Sequence, residues 1–161
     1  MIRPALPADA EAIARIYNHY ILNAISTFEK RALTPQAIAK RIHKVFAANL
    51  PWLVAESSGG IAGYAYASRW KDRSAYWNSV ESTVYIDPAA LGVGFGSHLY
   101  ETLLANLRQQ KVHVVIGGIA LPNQASIRLH EKFGFRKVAH FKEVGYKFGQ
   151  WIDVAYWQLI L

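Results

Sequence analysis

Apolar residues recur at the three- and four-residue spacing of an amphipathic helix in four stretches of the chain. The first stretch covers residues 9–20 and begins with Asp9, a residue type that caps helix N-termini. The second begins at Thr34 and continues with a proline, which is favoured at the first helical position. Its predicted inward positions are Ile38, Ile42, Val45 and Phe46. The third and fourth stretches cover residues 97–109 and about 123–133, so the pattern predicts four helices.

Strands are predicted where β-branched or alternating runs lie between turn residues. Residues 52–56 and 61–68 form a predicted hairpin, and further strands are predicted at 80–86, 112–119, 136–144 and 152–161, with one more at the N-terminal end. The order β-α-α-β-β-β-α-β-α-β-β indicates an α/β fold. Because no repeat or linker divides the chain, we expect one domain over residues 1–161.

Composition narrows the function classes. The chain has 161 residues, of which 52% are hydrophobic and 18% charged, and this is typical of a globular protein. It has no long uncharged apolar run and no secretory leader, so we expect a cytoplasmic protein without a membrane partner. With no cysteine and only scattered histidines, neither a thiol nucleophile nor a metal site is predicted.

The turn between the predicted strand 80–86 and the helix 97–109 carries glycines at alternate positions, Gly92, Gly94 and Gly96. Such a turn folds tightly and directs the free amides of a helix N-terminus outward, where negative charge is favoured. It therefore predicts a phosphate-binding loop. The G-x-G-x-x-G spacing of dinucleotide-binding proteins is absent, and no Gly-Lys-Ser/Thr follows, so those two nucleotide-binding classes are excluded.

Residues 91–96 resemble the acetyl-CoA loop of the GNAT superfamily of N-acetyltransferases, except that Leu91 replaces the usual Gln or Arg. The resemblance extends to the branch that acetylates phosphinothricin and methionine sulfoximine or sulfone. It is carried, in order along the chain, by residues 17–21, 51–56, 81–86, 121–123, 128–131 and 148–154. It implies a mixed, mostly antiparallel central sheet flanked by helices, and a homodimer.

The resemblance also implies direct acetyl transfer from acetyl-CoA to the amine of a small amino-acid-like substrate, without a metal. The cofactor-binding residues that it implies are Val84, Tyr85, Ile86, Leu91, Gly92, Val93, Gly94, Phe95, Gly96, Ser97, Asn123 and Ser126.

Two residues are the candidate catalytic groups. Strand alternation places Glu81 on one face with Thr83 and Tyr85, at the start of the strand that leads to the glycine loop. A partly buried carboxylate there suits a base that deprotonates the amine, the role that the resemblance gives it. His130 stands where the wider superfamily has a tyrosine taken as the acid for the CoA thiolate. It is predicted to donate that proton or to position substrate, or it is an ordinary helix histidine.

A basic and aromatic loop, residues 70–77, is the candidate substrate loop. Arg73 offers a bidentate partner for a substrate carboxylate. The resemblance adds Ser74, Tyr76, Thr83, Tyr85 and Phe28 as substrate-binding residues, while Tyr17 is assigned to the core. The loop also has the composition of a nucleic-acid contact, but two cations in one turn make too small a footprint.

The net charge of +7 fits an anionic partner, and the phosphates of CoA account for it as well as nucleic acid does. Because the Lys and Arg residues are scattered, no nucleic-acid partner is predicted. Acetylation of protein N-termini or of polyamines, and a CoA-binding regulator without turnover, stay open as alternatives.

Overall fold

The four predicted helices are present in the computed structural model, which describes all 161 residues. They are α1 (Ala10–Asn23), α2 (Pro35–Ala47), α3 (Phe95–Gln109) and α4 (Gln124–Lys132). The strands are β1 (Ile2–Pro4), β2 (Trp52–Ser57), β3 (Gly60–Arg69), β4 (Ser79–Ile86), β5 (Val114–Ala120), β6 (Arg136–Lys147) and β7 (Gln150–Ile160). None of the helices has the length and apolar character needed to cross a membrane.

The strands form one sheet of seven in the order β1-β2-β3-β4-β5-β7-β6. Every neighbouring pair is antiparallel except β4 and β5, which run parallel. This confirms the expected mixed, mostly antiparallel sheet. The parallel pair is joined through α3, a crossover that antiparallel strands do not need.

The parallel pairing of β4 with β5 is short. Only residues 79–81 of β4 pair with residues 114–116 of β5, although both strands continue for four or more residues. Beyond Glu81 the two strands are therefore not joined, and the sheet opens between them. The opening lies where β4 leads into the glycine loop.

The sheet is packed on both faces. On one face, the rings of Tyr17 and Tyr20 from α1 lie 5.1 and 5.0 Å from the ring of Tyr85 in β4. On the opposite face, the Tyr100 hydroxyl of α3 lies 2.7 Å from Ser82 Oγ. Glu81, Thr83 and Tyr85 thus belong to the α1 side of β4, as strand alternation predicted.

Two details of the predicted helices are wrong. Phe46 is 41% exposed, because it lies about 40° beyond Ile42 at the edge of the buried stripe of Ile38, Ile42 and Val45. The Asp9 side chain does not cap α1. It instead accepts hydrogen bonds of 2.7 Å from Arg3 Nη1 and from the Leu6 amide. Thr34 does cap α2, through a 3.2 Å bond from the Ala37 amide.

The last two strands are longer than predicted because the residues between them form a tight turn. Phe148 and Gly149 have φ angles of 53° and 71°, which suits a two-residue hairpin. The block of residues 148–154 that carries part of the family resemblance is therefore this turn and the start of β7.

Candidate active site

The opening between β4 and β5 holds a cavity of about 470 Å³, here called the central cavity. It is lined by β4 from Glu81 to Ile86, by β5 from residue 118, and by one face of α4. That face carries Asn123, Ser126 and His130, the set that helical spacing grouped together. Asn123 is fixed there as the α4 cap, because its Oδ1 accepts from the Ser126 amide at 3.1 Å.

A second cavity, of about 680 Å³, lies beside the first and is here called the outer cavity. Its walls come from the loop after α1 (Ser26 and Phe28), from the end of β3 (Trp70 and Lys71) and from strands β5, β6 and β7. Glu81 and Gly118 line both cavities, so the Glu81 carboxylate lies at their junction.

The surroundings of Glu81 favour a proton acceptor. Burial raises the pKa of its carboxyl group, and the positive charge of Lys71 partly opposes that rise. A raised pKa brings a carboxylate nearer to that of the amines it would deprotonate. Gly118, next to this group, leaves room for Tyr156, since a Cβ there would lie 2.9 Å from the Tyr156 ring and at an ordinary contact distance of 3.5 Å from Glu81 Oε1.

The glycine loop bounds a third cavity, of about 320 Å³, here called the loop cavity. Gly92 and Gly94 have φ angles of 81° and 91°, a backbone region that other residues rarely adopt. The amides of residues 92–97 donate to no acceptor within the protein. Arg128 and Lys132 of α4 line the cavity opposite these amides. Free amides and two cations at a helix N-terminus are suited to phosphate groups.

The remaining predicted cofactor-binding residues fall into two groups. Val84, Tyr85, Ile86 and Gly96 line the central cavity, and Phe95, Gly96 and Ser97 line the loop cavity. Leu91 lines both of these cavities but is 59% exposed. Val93 lines none of the three cavities and is 66% exposed.

His130 is buried, and both of its ring nitrogens have partners. Nε2 lies 2.7 Å from the Tyr100 hydroxyl, and Nδ1 lies 2.7 Å from the Ser126 carbonyl oxygen. Burial lowers the pKa of the imidazole. The histidine thus lies in the wall of the central cavity in a fully hydrogen-bonded state.

The predicted substrate residues are divided by the structure. Phe28 lines the outer cavity, whereas Thr83 and Tyr85 line the central one. Arg73, Ser74 and Tyr76 are exposed and line none of the three cavities, because the chain turns away from the site after Lys71. Tyr17, assigned to the core, packs against the core but also lines the central cavity.

Several site residues were missed by sequence reasoning. Trp70 and Lys71 lie in the predicted substrate loop, residues 70–77, but the cation that lines the outer cavity is Lys71 and not the predicted Arg73. Tyr100 continues the buried stripe of leucines on α3, so its pattern is that of a core residue. Arg128 and Lys132 share a helix face that points to the glycine loop, which the spacing alone does not reveal.

Comparison with known proteins identifies the family of this chain. A family model described as an acetyltransferase (GNAT) domain matches residues 2–156. The chain is 43% identical over 157 residues to phosphinothricin N-acetyltransferase of Streptomyces viridochromogenes, covering 98% of this chain and 85% of that protein. It is 36% identical over 160 residues to L-methionine sulfoximine/L-methionine sulfone acetyltransferase of Salmonella typhimurium, covering 99% and 94%.

A solved structure agrees with these sequence relatives. The fold matches, with a TM-score of 0.97 and 33% identity, a GNAT superfamily phosphinothricin acetyltransferase from Sinorhizobium meliloti in complex with acetyl-CoA, covering 100% of this chain and 88% of that one. The family model, the relatives and this structure agree with the glycine loop and the opened sheet, and the chain belongs to the GNAT family of acetyltransferases.

Proposed function

We propose that this protein transfers the acetyl group of acetyl-CoA directly to the amine of a small amino-acid-like substrate, such as phosphinothricin, methionine sulfoximine or methionine sulfone. The observation that carries the proposal is the position of Glu81 at the junction of two cavities. One cavity adjoins the glycine loop and suits the acyl donor, and the other has Lys71 in its wall and suits an anionic amine.

The loop and central cavities together fit acetyl-CoA. Unpaired amides of residues 92–97, the dipole of α3 and the cations Arg128 and Lys132 would hold the phosphates. Leu91 cannot donate to a phosphate, so the backbone replaces the side chain that most of the superfamily has there. The central cavity extends from this loop to Glu81, and its strand edges suit the amide-bearing arm of the molecule. The thioester supplies an activated acetyl carbon.

Glu81 would act as the base. The amine of an amino acid is mostly protonated near neutral pH and cannot attack until it loses a proton. A carboxylate with a raised pKa at the mouth of the outer cavity can accept that proton, directly or through a water. His130, the second residue predicted to take part, borders the cavity that would hold the thioester, and this supports a role in positioning the reacting groups.

Recognition of the substrate's acidic groups would use cations of the 70–77 loop. Lys71 lines the outer cavity, and this supports it as a partner for a carboxylate or phosphinate. Arg73 stays a prediction for the same role, together with Ser74 and Tyr76. A wall that contains Lys71 disfavours a polyamine, whose several positive charges would repel it.

The substrate class is tested by measuring CoA thiol release with matched amines. We expect phosphinothricin and methionine sulfone to be acetylated, and their decarboxylated analogues to be poor substrates. Lys71→Ala should raise the KM for the amino acid by about tenfold or more and leave that for acetyl-CoA unchanged, and Arg73→Ala shows whether the neighbouring cation shares the role. Preference for a peptide N-terminus or a polyamine would refute the proposed substrate class, and CoA binding without turnover would indicate a regulator.

A cytoplasmic homodimer completes the proposal. Acetyl-CoA is a cytoplasmic metabolite, which supports that location. The β6–β7 hairpin exposes seven large apolar side chains, an arrangement typical of a subunit contact. They are Val138, Phe141, Val144, Tyr146, Phe148, Trp151 and Ile160. Sedimentation of the purified protein distinguishes a dimer from a monomer.

A further inference from the structure

A chain of hydrogen bonds crosses the wall of the central cavity and joins three elements of the fold. Ser82 Oγ of β4 lies 2.7 Å from the Tyr100 hydroxyl of α3, and that hydroxyl lies 2.7 Å from His130 Nε2 of α4. His130 Nδ1 then lies 2.7 Å from the carbonyl oxygen of Ser126. All four residues line the central cavity.

The direction of these hydrogen bonds follows from the Ser126 carbonyl, at which the series ends. A carbonyl oxygen can only accept, so the proton of the imidazole must lie on Nδ1. In a neutral imidazole Nε2 is then an acceptor, and the Tyr100 hydroxyl must donate to it. The Tyr100 oxygen in turn accepts from Ser82.

The surroundings of His130 favour the neutral ring. The residue is 4% exposed, and its ring lies 5.1 Å from that of Phe135. Its ring also lies against Gly117 of β5, where a Cβ would be 2.4 Å from Nε2. Tyr100, Gly117 and Ser126, which contact it from α3, β5 and α4, carry no charge, and neither does Ser82 of β4, which bonds to Tyr100. Glu81, on the opposite side of β4 from Ser82, makes no hydrogen bond to the ring, and burial lowers the pKa of the imidazole.

We propose that Tyr100 is a positioning residue that, by donating to Nε2 while the Ser126 carbonyl accepts from Nδ1, holds the neutral His130 imidazole in place, and that His130 does not act as a stored acid for the leaving thiolate. The kinetic consequences rest on the proposed acetyl transfer, whereas the state of the ring does not. No residue of α3 beyond the glycine loop was assigned a part in the reaction from the sequence.

The transfer step balances without an acid from the protein. The free amine nitrogen forms a bond to the acetyl carbon, the carbon–sulfur bond breaks, and sulfur keeps the electron pair. The nitrogen loses one proton and the sulfur gains one, so the proton passes between the two reacting atoms. His130 has none to give toward Tyr100, because its ring proton is bound to Ser126. The series of hydrogen bonds from Ser82 through Tyr100 to His130 instead fixes α4 against α3 and β4, and it thereby fixes the wall of the central cavity.

The state of the ring is tested by NMR of the ¹⁵N-labelled protein, without any substrate. We expect His130 to show a protonated Nδ1, an unprotonated Nε2 and a pKa below that of an exposed imidazole. In Tyr100→Phe the Ser126 carbonyl still holds the proton on Nδ1, so the tautomer should be kept, whereas the Nε2 signal should shift because that nitrogen loses its donor. A protonated Nε2 or an imidazolium near neutral pH in the wild-type protein would overturn the proposal.

Kinetics test the consequence with matched variants. Tyr100→Phe should lower kcat by about 10- to 100-fold and also raise the KM for acetyl-CoA, because the wall of the cavity that would hold it is loosened, while the KM for the amine stays unchanged. His130→Gln, whose Oε1 can accept from Tyr100 but cannot store a proton, should keep far more activity than His130→Phe. Equal losses in those two His130 variants would restore the acid role and refute the inference.

Controls separate this result from a change in packing and from failure of the proposed function. Phe133→Leu alters a ring 5.8 Å from that of Tyr100 but removes no hydrogen bond, so kcat and the imidazole signals should not change. If Tyr100→Phe does not fold, Ser82→Ala breaks the far end of the chain and should lower kcat in the same direction. Should the wild-type protein acetylate no amine, the proposed function fails, while the NMR result still decides the state of His130.

Discussion

Replacing Glu81 with glutamine is the most direct test of the catalytic assignment, because the amide keeps the volume of the side chain and removes its basicity. The variant must rely on the small fraction of amine that is already deprotonated near neutral pH. A positioned base contributes about 10²–10⁴-fold to rate. We therefore expect kcat/KM to fall by that factor, which corresponds to about 2.7–5.5 kcal/mol of activation free energy.

The pH dependence of Glu81→Gln identifies the base more sharply than its rate at one pH. Burial raises the pKa of Glu81, so wild-type activity should fall on the acidic side at a higher pH than an exposed glutamate would give. In the variant that acidic limb is absent, and kcat/KM follows the fraction of free amine. The difference between the two proteins should therefore shrink as the pH rises. Parallel pH profiles of CoA thiol release would refute Glu81 as the base.

Thermal stability is an independent test of the Glu81→Gln substitution. A carboxyl group whose pKa is raised by folding favours its protonated form, so ionised Glu81 destabilises the fold once the pH rises through the folded pKa. Glu81→Gln should melt at a higher temperature than wild type near neutral pH, and the gap should close below the unfolded pKa. Glu101→Gln, at an exposed position of α3, is the matched control for both readouts. Loss of activity together with loss of stability would point to a structural role.

Three further substitutions test the walls of the site. Gly94→Val should abolish CoA binding in calorimetric titrations, because Gly94 has a φ of 91° that valine rarely adopts. Leu91→Ala should change the free energy of CoA binding by well under about 1 kcal/mol. Tight CoA binding by Gly94→Val would mean that the loop is an ordinary turn. Lys147 is buried and donates to the carbonyl oxygens of Ala24 and Thr27 at 2.6 and 2.7 Å, so it holds the loop that carries Phe28. Lys147→Met should raise the KM for the amine but not that for acetyl-CoA, and an unchanged amine KM would contradict this role.

Much of the fold follows from local patterns in the sequence. The helix periodicity, the Thr34 cap, the hairpin around residues 58–59 and the strand before the glycine loop all depend on residues close together in the chain. Strand alternation likewise separated Glu81 from Ser82, which the structure places on opposite sides of β4. The positive φ angles of Gly92 and Gly94 explain why that turn was recognisable at all.

The substrate loop, residues 70–77, shows a feature that local sequence patterns cannot predict. Arg73 and Lys71 are two residues apart and carry the same charge, so no periodicity distinguishes the one that borders the outer cavity. The choice depends on where β3 ends and the chain turns outward, which is a property of the whole sheet. The prediction that Phe46 points inward failed for a similar reason, since adjacent residues of a helix point 100° apart.

The cavity itself depends on contacts between distant parts of the chain. It exists because β4 and β5 pair over only three positions and then separate, directly before Gly117 and Gly118 of β5, and the sequence of these strands does not show which neighbour departs there. Its walls bring together Ser82, Tyr100 and His130 from three elements, and Lys147 fixes a loop some 120 residues earlier. A tyrosine in a leucine stripe and a lysine in a strand are ordinary when taken singly. Their hydrogen-bond partners, which only the folded chain supplies, turn them into parts of a site.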